Sequence, residues 1–183
     1  IPKPVKGVSL SSANSINIGR LVPQVVYYFS AYAQLLENGA IEDGDKVDFI
    51  VPTGNFGDIM AGWYALKMGL PIGRLICASN KNRVLTDFIN TGTYSLDREF
   101  YLTNSPSMDI LISSNLERLL YHLSGEDGEL VKDMMEDLAK RGEYTVNSRI
   151  REGFSAFHSM VDDCILRVER ILPADDYKDF NDE

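Results

Sequence analysis

One loop, Gly54-Asn55-Phe56-Gly57-Asp58, has the residue types and spacing of an anion-binding turn. It follows a short apolar run, Val47 to Val51, and precedes a segment with helical spacing, so the pattern predicts a strand, a tight loop and a helix. The two glycines permit positive φ and a close approach of the backbone to a ligand. Free amides at the start of the helix, together with the helix dipole, favour a phosphate there. Because the spacing is neither GxGxxG nor GxxxxGKS/T, an ordinary glycine-rich turn stays the alternative.

A parallel sheet is needed to position this loop. Strands are predicted at Val47–Val51 and Arg74–Ala78, and the helix Ile59–Met68 lies between them. Ser79-Asn80 is predicted to cap a further helix that ends near Asn90. Alternating strands and helices imply right-handed crossovers, with ligands at the carboxyl ends of the strands. The predicted class is therefore α/β, a parallel sheet flanked by helices.

The remaining elements are mostly helical. After Gly125 the composition shifts from α/β to mainly helical, so residues 1–124 are assigned to an α/β domain and residues 125–183 to a helical extension of it with an acidic tail. The other predicted elements are a helix capped by Asn17 that runs through Asn38, a short strand at Glu99–Thr103, a helix at Leu116–Leu123 capped by Ser113-Ser114-Asn115, a charged helix that ends near Gly142, and helical spacing over Ile150–Leu172.

Composition narrows the class of protein. The chain has 183 residues, of which 44% are hydrophobic and 25% charged, which fits one soluble domain or a piece of a larger one. A net charge of −9 disfavours nucleic acid or an anionic membrane as the main partner. No apolar run has the length of a membrane span or a signal peptide. The chain begins with Ile1, and we expect it to start within a longer protein.

Cysteine and histidine usage indicates a cytoplasmic protein without a metal site. Cys77 and Cys164 do not make a disulfide framework and are expected to be free thiols in the cytoplasm. His122 and His158 lie far apart, without the spacing of metal ligands around them. We therefore expect no metal.

Three motifs of unrelated composition, in a fixed order, resemble the central part of threonine synthase in its long bacterial and fungal form. They are LSSANSINIGR (Leu10–Arg20), VPTGNFGDIMAGWYALKMGLPIGRLICASNKNRVL (Val51–Leu85) and SPSMDILISSNLERLL (Ser105–Leu120). The resemblance covers about Pro4 to Val146 and fades beyond it. It implies a fold-type II enzyme that uses pyridoxal 5'-phosphate to convert O-phospho-L-homoserine and water into L-threonine and phosphate.

The resemblance also implies roles for particular residues. The amides of Gly54, Asn55, Phe56, Gly57 and Asp58 match the loop that holds the cofactor phosphate. Polar side chains in the neighbouring motifs are candidates for holding the substrate phosphate; they are Asn14, Ser15, Asn17, Arg20, Ser113, Ser114 and Asn115.

One part of the family pattern has no match in this chain. The segment that carries the Schiff-base lysine lies upstream in the family, so we assign no catalytic residue here and expect the isolated chain to be inactive. Two alternatives stay open: another fold-type II pyridoxal-phosphate lyase, and a non-catalytic module that binds phosphate or a partner protein. The oligomeric state is not indicated.

Overall fold

The structure is a computed structural model that describes residues 14–103 and 106–153. The expectations for Cys164, His158, most of Ile150–Leu172 and the acidic tail lie outside these ranges. None of the described helices is long and apolar enough to cross a bilayer. In chain order the elements are α1 (Ile18–Glu37), β1 (Val47–Pro52), α2 (Gly57–Lys67), β2 (Ile72–Ala78), α3 (Val84–Thr91), β3 (Thr93–Ser95), a single 3-10 turn (Pro106–Met108), α4 (Leu116–Ser124), α5 (Gly128–Arg141) and β4 (Glu143–Thr145).

Two parallel strands, β1 and β2, carry the loop on which the sequence is centred. Their register pairs Val47 with Ile72 and Pro52 with Ala78. Helix α2 connects the two strands, so the predicted strand, helix and parallel strand are confirmed. Because Pro52 and Ala78 are opposite each other, the loops after both strands begin at the same edge of the sheet. The amide of Thr53 donates to the Ala78 carbonyl across 2.8 Å and extends this pairing into the loop.

Helix α1 packs against α2 and fixes where α2 begins. Asn17 caps α1 as predicted, since its side chain accepts from the Gly19 amide at 2.9 Å. The Tyr28 hydroxyl of α1 donates to the Asp58 carbonyl in the first turn of α2 at 2.9 Å. A Cβ on Gly62 would lie 2.6 Å from the Tyr28 ring, so only glycine permits this distance between the helices. The contact places the start of α2, and with it the loop, relative to α1.

A second, antiparallel pair of strands was not predicted. β3 and β4 pair Thr93 with Thr145 and Tyr94 with Tyr144. The Tyr94 and Tyr144 rings stack with centroids 5.4 Å apart, and Phe88 of α3 meets both rings edge to face. These aromatic contacts join the region after Gly125 to the rest of the core.

The strand predicted at Glu99–Thr103 is wrong, because this segment has no regular secondary structure. The Asn82 side chain takes the place of a neighbouring strand. Its Nδ2 donates to the Tyr101 carbonyl at 2.8 Å, and its Oδ1 accepts from the Tyr101 amide at 3.0 Å. The side-chain amide of Asn82 thus satisfies the backbone carbonyl and amide of Tyr101, which the pattern assigned to a strand.

One predicted helix cap is wrong, and a second is right in position but makes no side-chain bond. Helix α3 begins at Val84, and the Asn80 side chain instead donates to Asp109 at 2.8 Å. Asn115 stands directly before α4, yet it makes no side-chain capping bond, because its amide group is engaged elsewhere. At Asn115 a tertiary hydrogen bond replaces the local one that the sequence favours, whereas the Asn80 Oδ1 does make a local bond and accepts from the Asn82 amide at 2.9 Å, before the helix begins.

Candidate functional site

The loop between β1 and α2 turns at Phe56. This residue has φ of 62°, in the left-handed region, and is only 1% exposed. The prediction that Gly54 and Gly57 supply the positive φ is wrong, since neither has it. A bulky residue in this conformation costs about 1 to 3 kcal/mol, and the buried contacts of the Phe56 ring offset that cost. Backbone strain of this kind clusters at functional sites.

The two glycines serve close approach instead. A Cβ on Gly57 would lie 2.8 Å from the Ser15 Cβ and 3.3 Å from the Asn115 Nδ2. A Cβ on Gly54 would lie 2.9 Å from the Ile110 Cδ1 and 3.4 Å from the Met108 carbonyl oxygen. Both glycines therefore make room for neighbouring segments of the protein, and their predicted close approach to a ligand stays a prediction.

The residues before α4 hold the loop from beneath. Asn115 is fully buried, and both its backbone amide and its Nδ2 donate to the Asn55 carbonyl, at 3.0 and 3.1 Å. The same Nδ2 donates to the Ser15 hydroxyl at 3.0 Å. The Ser113 hydroxyl donates to the Gly54 carbonyl at 2.9 Å. Since the carbonyls of Gly54 and Asn55 are bound from below, the loop keeps a single orientation.

Arg118 fixes the orientation of the Asn115 side chain. Its Nε donates to the Asn115 Oδ1 at 3.2 Å, and its Nη2 donates to the Ile16 carbonyl at 2.6 Å. Because a guanidinium only donates, the Asn115 oxygen must face it, and the amide nitrogen faces the loop. The same arginine ties the segment that contains Ser15 to α4.

The first-turn amides of α2 are the donors of this site. Helix geometry leaves the amides of its first residues, from Gly57 onward, without a carbonyl in the same helix. Within residues 14–103 and 106–153, no group accepts a hydrogen bond from the amides of Gly54 to Asp58. The positive end of the helix dipole adds to these donors. Together they form a set of donors suited to a phosphate.

The loop opens onto a cavity of about 240 Å³. Three of the predicted phosphate ligands, Asn14, Ser15 and Arg20, line it together with the glycine loop. Sequence reasoning missed Gln24, whose buried Oε1 has no hydrogen-bond partner among the described residues. It also missed Thr53, Ser107 and Met108 in the cavity wall. Gln24 follows Arg20 by one helical turn, and that spacing was the available signal.

The other predicted ligands lie outside this cavity. Ser113 and Asn115 are buried beneath the loop. The Ser114 hydroxyl lies 3.4 Å from the Asn55 Oδ1, and Asn17 caps α1. The structure therefore gathers part of the predicted set around one space and gives the others supporting positions, while their part in ligand binding stays a prediction.

The Tyr28 hydroxyl, which lies beside Asp58, is not a proton source near neutral pH. Burial, and to a lesser extent the Asp58 carboxylate, raise the pKa of the Tyr28 hydroxyl far above its ordinary value of 10.0. Tyr28 stays protonated and donates to the Asp58 carbonyl. Its role in the described structure is to fix the first turn of α2.

The known proteins to which this chain is similar include threonine synthases and a threonine synthase-like protein. No protein-family model matches the chain. It is 52% identical over 147 residues to human threonine synthase-like 1, covering 80% of this chain and 20% of that protein. It is 44% identical over 156 residues to threonine synthase of Saccharomyces cerevisiae, covering 80% of this chain and 30% of that enzyme. The macaque threonine synthase-like 1 matches over 88% of this chain, a share larger than Pro4–Val146, so similarity to that relative continues past Val146.

A solved structure agrees with the sequences. The PLP-bound threonine synthase of Brucella melitensis superposes with a TM-score of 0.73 at 45% identity, over 80% of this chain and 30% of that one. The expected fold, that of a fold-type II enzyme, is thereby confirmed. The chain spans between about a fifth and a third of the length of these relatives. By sequence and by fold, this chain is thus similar to one segment of threonine synthases and of a threonine synthase-like protein.

Proposed function

We propose that this chain is the cofactor-phosphate-binding part of a pyridoxal-phosphate enzyme that converts O-phospho-L-homoserine and water into L-threonine and phosphate. The observation that supports it most is the glycine loop, because its residues line a cavity at the carboxyl edge of a parallel sheet and their amides have no acceptor among the described residues. The similarity to threonine synthases over 80% of the chain supports the choice of reaction.

The residues present fit a phosphate ester. In this proposal the amides from Gly54 to Asp58 bind the cofactor phosphate, and Asn115 and Ser113 keep those amides turned toward the cavity. The bound cofactor supplies an electron sink for the reacting carbon. Asn14, Ser15 and Arg20, which line the same cavity, are proposed to hold the phosphate of the substrate.

Binding by backbone amides has a consequence for charge. The chain carries a net charge of −9, so its overall field repels an anion. Hydrogen bonds from the loop act only at contact distance, and there they outweigh a repulsion that salt screens beyond about 10 Å. The phosphate is thus selected locally, by the geometry of the loop.

The first test separates phosphate recognition from reaction with lysines. Titration calorimetry of the natural full-length protein with 4-deoxypyridoxine 5'-phosphate, which lacks the aldehyde, is expected to show binding that inorganic phosphate displaces. Dephosphorylated 4-deoxypyridoxine is expected to bind at least about tenfold more weakly, since each charge-assisted hydrogen bond contributes about 1.5 to 3 kcal/mol. Equal affinity for the two compounds would contradict the proposal.

We also propose that the chain by itself does not turn over substrate, because no lysine in it has a context that resembles the catalytic one. Incubation with pyridoxal phosphate, borohydride reduction and mass spectrometry should find no defined modified lysine. A single modified lysine together with threonine formation would overturn this part of the proposal.

A second candidate function is elimination of phosphate from a different phospho-amino acid. The chain is also similar to human threonine synthase-like 1, at 52% identity, and that name does not state which reaction the relative catalyses. Phosphate release from O-phosphohomoserine, O-phosphothreonine and O-phosphoserine by the full-length protein discriminates the two. Release from the first compound alone supports the synthase.

The remaining assignments belong to the same proposal. We place the enzyme in the cytoplasm, with a small molecule and neither nucleic acid nor a membrane as its partner. The division at residues 124 and 125 is likewise proposed, supported by the change in composition there.

A further inference from the structure

Asp109 lies at the meeting point of three segments that line or support the cavity. Its Oδ1 accepts from the Asn80 Nδ2 at 2.8 Å, from the Asn82 Nδ2 at 3.0 Å and from the Thr103 hydroxyl at 2.8 Å. Its Oδ2 accepts from the Thr103 backbone amide at 2.8 Å. One carboxylate thus connects the turn after β2, residues 101–103 and the turn at 106–110.

All four of these hydrogen bonds come from neutral donors. Hydrogen bonding, above all from the Thr103 amide, lowers the pKa of the Asp109 carboxyl, so the group is ionised and accepts only. Within the described ranges it forms no ion pair. Its contribution is therefore one of position: hydrogen bonds are directional, and four of them leave the carboxylate one orientation.

The turn that Asp109 holds is part of the cavity wall. Ser107 and Met108 line the cavity. The carbonyl oxygen of Met108 and the Cδ1 of Ile110 are the atoms that a Cβ on Gly54 would meet. The residues on both sides of Asp109 thus contact the first glycine of the loop, and a shift of the turn would move the surface against which that glycine rests.

We propose that Asp109 is a positioning residue, whose carboxylate fixes the 106–110 turn against Gly54 and so holds the wall of the phosphate cavity in place. It does not touch the ligand in this proposal. The inference rests on the proposed function where it concerns phosphate affinity, and on the hydrogen bonds alone where it concerns the turn.

The test uses Asp109→Asn in the natural full-length protein, with Asp133→Asn as the matched control. Asp133 is exposed on α5, and its replacement removes the same charge. In Asp109→Asn the Oδ1 can keep the three donors of the original Oδ1, but the new Nδ2 would then place a donor against the Thr103 backbone amide. We expect the dissociation constant for 4-deoxypyridoxine 5'-phosphate to rise about tenfold. Hydrogen exchange within residues 101–110 should accelerate by at least about tenfold, and the control should change neither value.

A second variant separates positioning from a general loss of stability. In Asp109→Asn combined with Asn80→Asp, the new Nδ2 at position 109 can donate to the new carboxylate and the Oδ1 there can accept from the Thr103 amide, so only the donor of Asn82 loses its acceptor. Recovery of most of the affinity and of the exchange protection supports the proposal. If the double variant recovers neither the affinity nor the exchange protection, and its thermal midpoint falls together with the affinity, the positioning role is overturned.

The two proposals fail in different ways. If the unmodified protein does not bind the probe, the proposed function fails, and hydrogen exchange in Asp109→Asn alone decides the role of this carboxylate. If the probe binds equally well to the unmodified protein, Asp109→Asn and Asp133→Asn, the positioning role is contradicted while the phosphate site stands.

Discussion

At the scale of single residues, the site depends on two departures from what is locally favourable. Phe56 adopts a backbone conformation that glycine would adopt at less cost, and Gly57 occupies a helical position where alanine would be favoured. Tertiary packing explains both departures, because the Phe56 ring is buried and Gly57 lies against Ser15 and Asn115. Local preference is overruled where the loop meets the rest of the protein.

Gly57→Ala tests this view. The helix would gain at most about 1 kcal/mol from alanine, whereas the new Cβ would lie 2.8 Å from Ser15 and force a shift. Overpacking costs about 1 to 3 kcal/mol, so we expect weaker binding of 4-deoxypyridoxine 5'-phosphate and a lower urea midpoint. The control is Gly128→Ala, where nothing lies nearer than 4.0 Å. Equal behaviour of the two variants would show that the contact with Ser15 is not restrictive.

The same residues explain how far the sequence predicts the site. The glycine pattern located the loop and its donors, because spacing around a strand and a helix is a local property. It assigned the positive φ to the wrong residues, since the burial that holds Phe56 comes from distant segments. Ser107 was missed for the same reason, because it reaches the cavity through packing and no local pattern marks it, whereas the one-turn spacing from Arg20 was a usable signal for Gln24.

At the scale of elements, the fold is a parallel β1–α2–β2 unit to which an antiparallel β3–β4 pair is joined. The first was predicted, because its strands and helix have clear periodicity. The second was not, since β3 and β4 are each three residues long and far apart in the chain. A strand of three residues is too short to show an alternation of apolar and polar residues. Each of these strands is recognised only from its pairing with the other and from the stacking of Tyr94 on Tyr144.

Tyr144→Ala tests the importance of this pair. Tyr144 is 3% exposed, stacks on Tyr94 and meets the edge of Phe88. Truncating a buried aromatic residue costs about 3 to 5 kcal/mol, so the urea midpoint should fall strongly. Tyr27→Ala, at a residue 63% exposed, is the control and should change the free energy of unfolding by no more than about 0.5 kcal/mol. A small effect of Tyr144→Ala would mean that β3 and β4 add little to the core.

At the scale of the whole molecule, buried phenols are distributed through both parts of the core. Burial raises the pKa of Tyr28, Tyr94 and Tyr144 above the ordinary value of 10.0. Below pH 10 these groups are protonated in both the folded and the unfolded chain, so they do not make stability depend on pH. Above pH 10 the unfolded chain loses these protons first, and the folded state is destabilised.

Stability should therefore fall as the pH rises above 10, by up to about 1.4 kcal/mol per pH unit for each phenol. Urea unfolding between pH 9 and 11 measures the slope. Tyr28→Phe lacks one ionisation and should show a shallower decline, although it is less stable at pH 9 because the bond to the Asp58 carbonyl is lost. Tyr27→Phe, at an exposed position, is the control. An identical slope in all three proteins would contradict this assignment.

The β3–β4 pairing also sets an order of events during synthesis. Thr145 lies 52 positions after Thr93, and at about 5 to 20 residues per second a ribosome needs about 3 to 10 s to add that stretch. The β1–α2–β2 unit can form early, whereas Phe88 and Tyr94 lack their ring contacts with Tyr144 until Tyr144 has been made. During that interval the nascent chain presents an aromatic surface to chaperones, and translation speed between β3 and β4 should influence how much protein reaches the folded state.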